Sequence, residues 1–197
     1  YDIIKVAFEE LKIKELKTDG LGKLIRARQK IEMLKLPIML DIIEEGLDSG
    51  YSIAIFVNYI DTMNYLAHYF KTSCLIHGTQ SIEDRQSSIE DFQSNSSKII
   101  IAITQAGGVG ISLHDIHGGH PRMSIISPSW SGIDTQQVLG RIHRAGAKTP
   151  ALQRIIFAAD TYEEEICVLI KQKLKNITGI NDGDMLGPKL TEEQFQE

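Results

Sequence analysis

Two cysteines in 197 residues are too few for a disulfide framework. Cys74 and Cys167 both sit in apolar runs rather than at the spacing of a four-ligand zinc site. Such usage fits a reducing, intracellular compartment. Long apolar runs are also missing: none approaches the roughly 20 residues that a membrane span requires. The opening Tyr1-Asp2-Ile3-Ile4-Lys5 has neither the basic start nor the apolar stretch of a secretory leader. A soluble chain with no membrane partner is expected, and its numbering fits a start inside a longer protein. An excess of positive charge is lacking too. The formal net charge is -5, so the chain as a whole does not carry the basic balance of a nucleic-acid binder. With only 5 prolines, 42% hydrophobic residues and 24% charged residues, disorder and fibrous repeats are excluded and one core of ordinary size is expected.

The charge that is present is uneven. Residues 1–36 carry +3 (9 basic, 6 acidic), residues 37–100 carry -6 (3 and 9), residues 101–160 carry +2 (5 and 3), and residues 161–197 carry -4 (4 and 8). Lys23, Arg26, Arg28 and Lys30 in the first segment suit either a solvated helix face or contact with a polyanion. In the third segment the arginines have a pattern of their own.

Periodicity supplies the fold class. Leu24, Ile25, Ala27, Ile31 and Leu34 recur at helical spacing, and Pro37 suits the first turn of a second helix carrying Ile38, Ile42, Ile43 and Leu47. The run Ser52-Ile53-Ala54-Ile55-Phe56-Val57 is short, apolar and β-branched, as in a strand buried on both faces. A helix capped by Asp61 or Thr62 follows to Phe70. The alternation then continues with strand 73–76, helix 82–92, strand 98–103, strand 123–126, helix 135–142, strand 153–157 and helix 162–177. This order predicts an α/β fold: a parallel sheet with helices on both faces and functional loops at the carboxyl ends of its strands.

Two loops carry chemistry. After strand 98–103 comes Thr104-Gln105-Ala106-Gly107-Gly108-Val109-Gly110-Ile111-Ser112-Leu113, dense enough in glycine for backbone N–H groups to approach phosphate oxygens, although a tight turn without ligand fits the composition equally well. The second is Gln136-Gln137-Val138-Leu139-Gly140-Arg141-Ile142-His143-Arg144-Ala145-Gly146. Arginines three apart on a short helix, here capped by Asp134, point from one side, where two planar guanidiniums can grip a polyphosphate.

At this point the residues carry a resemblance. Arg141 to Gly146, with Gln137 and Gly140, looks like motif VI of superfamily 2 helicases, and Thr104 to Leu113 looks like their motif V. Ala54-Ile55-Phe56-Val57-Asn58 resembles motif IV, and His77-Gly78-Thr79, Arg85 and Phe92 resemble the segment after it. The opening helices and Thr161-Tyr162-Glu163-Glu164-Glu165-Ile166 are similar to the second lobe of Swi/Snf-type translocases. Unusual spacing and isoleucine-rich texture suggest a member from a large DNA virus.

The resemblance implies a RecA-like helicase C-terminal lobe over residues 23–178, preceded by an interlobe flank at 1–22 and followed by a polar tail at 179–197. It implies a catalytic role for Arg144 as the arginine finger on the γ-phosphoryl group of ATP, with Arg141 as its partner. Gln137, Gly108 and Gly110 would lie on the nucleotide side. Asn58, His77, Gly78, Thr104, Gln105 and Gly107 would lie along the nucleic-acid track, with DNA favoured over RNA. Val138 replaces the first basic residue usual in motif VI, and Ala145-Gly146-Ala147 stands where Swi/Snf-type enzymes carry Ile-Gly-Gln. The chain contains no Gly-x4-Gly-Lys-Ser/Thr loop and no Asp-Glu-x-x box. ATP and Mg2+ would therefore be held mainly by a first lobe upstream, and the chain alone is expected to be inactive. Two other readings stay open: a non-catalytic nucleic-acid or protein-docking module of the same shape, and a Rossmann-type enzyme, the latter disfavoured because no third glycine stands at the required spacing.

Overall fold

The computed structural model describes residues 19–107, 110–129 and 131–181. Gly108, Trp130, most of the 1–22 flank and most of the 179–197 tail lie outside the described residues. Helices α1 (Asp19–Leu34) and α2 (Leu36–Asp48) lead into strand β1 (Ser52–Val57). Then follow α3 (Ile60–Phe70), β2 (Leu75–Ile76), α4 (Ile82–Gln93), β3 (Ile99–Ile103) and the four-residue α5 (Thr104–Gly107). Strand β4 (Arg122–Ile126), α6 (Gly132–Leu139), β5 (Ala151–Ile155) and α7 (Tyr162–Asn181) complete the order.

The strands form one sheet in the order β2-β3-β1-β4-β5, and every pairing is parallel. Strand β1 is central and buried along its whole length, as its uninterrupted apolar run requires when both faces are covered. Side chains alternate between two cores. Ile53, Ile55 and Val57 join Leu36, Met39 and Ile43 of α2 and Met63 and Leu66 of α3. Ala54 and Phe56 join Phe92 of α4, Val138 and Leu139 of α6, and Ile166 and Ile170 of α7. Helix α2 lies close against the sheet, because a Cβ built on Gly46 would come within 2.1 Å of Met123 Cε and 2.9 Å of Ile53 Cδ1.

The two helix starts differ from the sequence expectation. Neither Asp61 nor Thr62 caps α3: its N-cap residue is Tyr59, with no side-chain cap of its own. Instead the Glu32 carboxylate, reaching across from α1, accepts the N–H groups of Asn58 (3.1 and 3.0 Å) and Tyr59 (3.2 Å). A distant acid thus does the capping work that a local side chain usually does. Helix α6 spans Gly132–Leu139 rather than 135–142, and its cap is Ser131, not Asp134: Ser131 Oγ accepts the Asp134 N–H. Strand β5 runs Ala151–Ile155, earlier than the expected 153–157. Both cysteines are free. Among the described residues no helix is long and apolar enough to cross a membrane.

Candidate functional site

Because α6 stops at Leu139 and Gly140 is its C-cap, Arg141 and Arg144 lie beyond the helix, and helical spacing is not what unites them. They converge by tertiary contact. Arg141 Nη1 donates to the carbonyl of Ile111 at 3.3 Å, and Arg144 Nη2 donates to that same carbonyl at 3.3 Å. Arg144 also donates to the Gly140 carbonyl (3.1 Å) and to Ser112 Oγ (3.2 Å). The two guanidiniums meet at the exit of the glycine-rich segment, one residue past Gly110, whose φ of +68° is a backbone state that glycine adopts without strain. Arg141 is half-buried and Arg144 exposed. Burial first, and the neighbouring Arg144 charge second, push the Arg141 guanidinium below its ordinary pKa. Two like charges held together in this way suit an anion between them.

The turn is pinned from several sides. The Leu113 N–H donates to the Arg141 carbonyl (2.9 Å), Gln93 Nε2 to the Ser112 carbonyl (2.8 Å), and Arg85 Nη2 to the Ala106 carbonyl (2.7 Å). Gln93 was not singled out from the sequence, where it reads as one more polar residue on a solvated helix. Gln137 is exposed on α6, one turn before the arginines.

At the carboxyl ends of the strands the other candidates sort differently. Gln105 is exposed just past β3. His77 and Gly78 follow β2, whose Ile76 pairs with Ala102 of β3, so they emerge beside α5, which ends at Gly107. His77 Nδ1 lies 3.0 Å from Thr79 Oγ1. Thr104 and Asn58, expected along the nucleic-acid track, direct their side-chain donors into the protein. Thr104 is fully buried and its hydroxyl donates to the Val57 carbonyl at 3.1 Å. Asn58 Nδ2 donates to Glu32 Oε2 (2.8 Å) and to the Pro128 carbonyl (3.0 Å). Both side chains tie strand ends together.

A cavity of about 240 Å³ opens among these ends, lined by Arg28, Asn58, Tyr59, Ile103, Gln105, Ser129 and Tyr162. The Arg28 guanidinium stacks over the Tyr162 ring at 5.1 Å from its centroid, a cation–π contact, and burial lowers the Arg28 pKa. Beneath lies a buried polar cluster. Lys35 Nζ donates to both Glu163 oxygens (2.7 and 2.9 Å), to Ser127 Oγ (2.8 Å) and to the Ile156 carbonyl (3.2 Å). Burial pushes the Glu163 carboxyl up, and the Lys35 ammonium opposes that shift.

With this geometry, a match of residues 34–146 to the helicase conserved C-terminal domain decides the family, since that span runs from α1 through both arginines. The chain belongs to the helicase C-terminal domain family. A protein of Acanthamoeba polyphaga mimivirus, named provisionally as an ATP-dependent RNA helicase, is 47% identical over 95% of this chain and 37% of its own length. It is a viral counterpart of the kind that the sequence texture suggests. The chromatin remodeling factor mit1 of Schizosaccharomyces pombe is 27% identical over 71% of this chain and 10% of its own length. The chain therefore spans little more than a third of one relative and a tenth of the other. The SWI2/SNF2 ATPase core domain of Sulfolobus solfataricus superposes with a TM-score of 0.59 and 23% identity, covering 99% of this chain and 45% of that one. Its likeness establishes the RecA-like fold of the helicase C-terminal lobe.

Proposed function

We propose that this helicase C-terminal domain is the second motor lobe of an ATP-dependent helicase or translocase that works inside the cell on nucleic acid. The reading rests chiefly on the convergence of Arg141 and Arg144 on the Ile111 carbonyl beside Gly110. ATP, when bound between this lobe and a first lobe, supplies the phosphoryl group transferred to water. Arg144 is the finger that stabilises negative charge developing on the γ-phosphoryl oxygens, and Arg141 braces it and adds a second positive charge. Gln137 and Gly110 lie on the nucleotide side, where the motif also assigns Gly108, which is outside the described residues. Mg2+ would be held mainly by the first lobe.

Nucleic acid is gripped at the carboxyl ends of β2 and β3, through the Gln105 side chain, His77, and the main chain of Gly78 and Gly107. Contacts of this type fix position on the backbone without reading sequence, as a motor moving along many sequences requires. Duplex DNA is favoured over RNA, because the helices that flank the lobe follow the Swi/Snf pattern. Lobe closure brings Arg144 to the nucleotide, and reopening releases the grip.

The decisive experiment takes the complete protein that contains this chain and measures nucleic-acid-stimulated ATP hydrolysis for wild type and Arg144→Ala. The finger reading expects turnover to fall by about 10³-fold or more with nucleotide affinity only weakened. Equal turnover in the two would overturn the finger assignment, and a wild type without such hydrolysis would favour a docking module that kept the fold without the motor. Salt titrations with matched DNA and RNA duplexes test the substrate preference, since phosphate-dominated affinity falls steeply with salt. Tighter binding of RNA at every salt concentration would reverse it.

A further inference from the structure

The functional loops at the carboxyl ends of β1, β4 and β5 are held by charged residues that come from the junction of α1 with α2 and from α7. Glu32 lies outside the family match at 34–146, and Glu163 lies outside it at the other end. Glu32 accepts the N–H groups of Asn58 and Tyr59 and the Asn58 amide, fixing the exit of β1. One helical turn on, Lys35 holds Ser127 after β4, the Ile156 carbonyl after β5, and Glu163. Glu163 in turn accepts the Ala158 N–H at 2.8 Å. All three charged residues are buried. From Ser127 the chain runs two residues to Ser129, whose N–H donates to Thr135 Oγ1 on α6 (2.9 Å), and α6 ends at the arginine turn. The walls of the Gln105 cavity and the root of α6 thus share one set of ties.

We infer that Glu32 and Lys35 are positioning residues for the motor reaction: they set the Asn58–Tyr59 and Ser127–Ser129 loops, and through α6 the placement of Arg141 and Arg144. Buried hydrogen bonds to an ionised carboxylate are strong and directional. A displacement of about 1 Å at a reacting group can cost about 10²-fold in rate. This inference rests on the motor reading above, and it predicts a loss in turnover rather than in ATP binding.

The test uses the complete protein and two readouts. In Glu32→Ala, amide hydrogen exchange at Asn58 and Tyr59 should quicken at least tenfold while β3 (Ile99–Ile103) keeps its protection. The kcat of nucleic-acid-stimulated hydrolysis should fall at least tenfold with KM for ATP within twofold. Glu32→Gln, which keeps an accepting oxygen, should fall between the two. Lys35→Met should loosen Ala158 in the same local way and lower kcat likewise. Wild-type kcat in both variants would overturn the inference, as would a loss of kcat with equally fast exchange throughout β3, which marks general loosening. A wild type without nucleic-acid-stimulated hydrolysis would instead remove the motor reading, and the exchange data would still report whether the ties act locally.

Discussion

The arginine turn and the buried cluster around Lys35 use charge in opposite ways. At the turn, Arg144 is exposed, Arg141 is half-buried, and both donate to neutral carbonyl or hydroxyl oxygens. In the cluster, Lys35 and Glu163 are almost wholly buried, at 6% and 1% side-chain exposure, and answer one another at 2.7 Å. Like charges gathered at a surface keep their field available for an incoming anion. Opposite charges buried together cancel that field and hold backbone in place. The difference separates the candidate site from its scaffold without reference to any relative.

Mutations can break this contrast. The largest effect is expected for Arg144→Ala, which should cost about 10³-fold or more in turnover while shifting urea-measured stability by less than about 1 kcal/mol, as at other exposed positions. Lys35→Met, besides loosening the Ala158 loop, should be the more destabilising of the two in the same urea titration, because it leaves the Glu163 carboxylate in the interior without its ammonium partner. If Arg144→Ala proved the more destabilising of the two, the division between site and scaffold would fail.

Smaller changes sharpen it. Gly46→Val should cost about 1–3 kcal/mol by crowding Met123 and Ile53, and thermal unfolding would show it. Asp115 tests a buried charge held by hydrogen bonds. Burial alone would raise its pKa, but hydrogen bonds from the Gly118, His120 and His117 N–H groups and from Thr149 hold it below the usual 3.8. A lowered folded-state pKa contributes stability above pH 3.8 that is lost as the pH falls through the folded value. The gap in urea midpoint between wild type and Asp115→Asn should therefore be open at pH 7 and narrow at pH 3. Arg154→Ala should change stability by well under 1 kcal/mol, since its 3.4 Å contact with Glu45 is between side chains 39% and 66% exposed.

The centre of the sheet was legible in the sequence because burial on both faces demands apolar, β-branched runs, as in β1 and β3, whereas the half-buried edge strand β5 (Ala151–Ile155) carries Gln153 and Arg154 and reads two residues late. The glycine segment and the arginine pair were legible as chemistry, but the reason for their proximity was not. Helical spacing predicted a shared face, whereas α6 ends before Arg141 and the pair meets on the Ile111 carbonyl instead. Thr104 and Asn58 are assigned to the nucleic-acid track by resemblance alone, and nothing in the local sequence shows that Val57, Glu32 and Pro128 take up their side-chain donors. Glu32 and Lys35 gave no signal, because a charged residue on a helix looks the same whether it faces water or the interior.

By itself, then, the amino-acid order determined what short-range physics controls: strand and helix type, the parallel α/β class, and the glycine and arginine segments that carry the motor resemblance. Tertiary structure alone decided which charges gather at the candidate site and which are buried as its supports. Lys35 meets Glu163 across 128 positions of sequence, and Glu32 meets Asn58 across 26. The hydrogen-bonding needs of buried backbone ends are answered by whatever side chain the fold delivers there, and local sequence does not record which one that is.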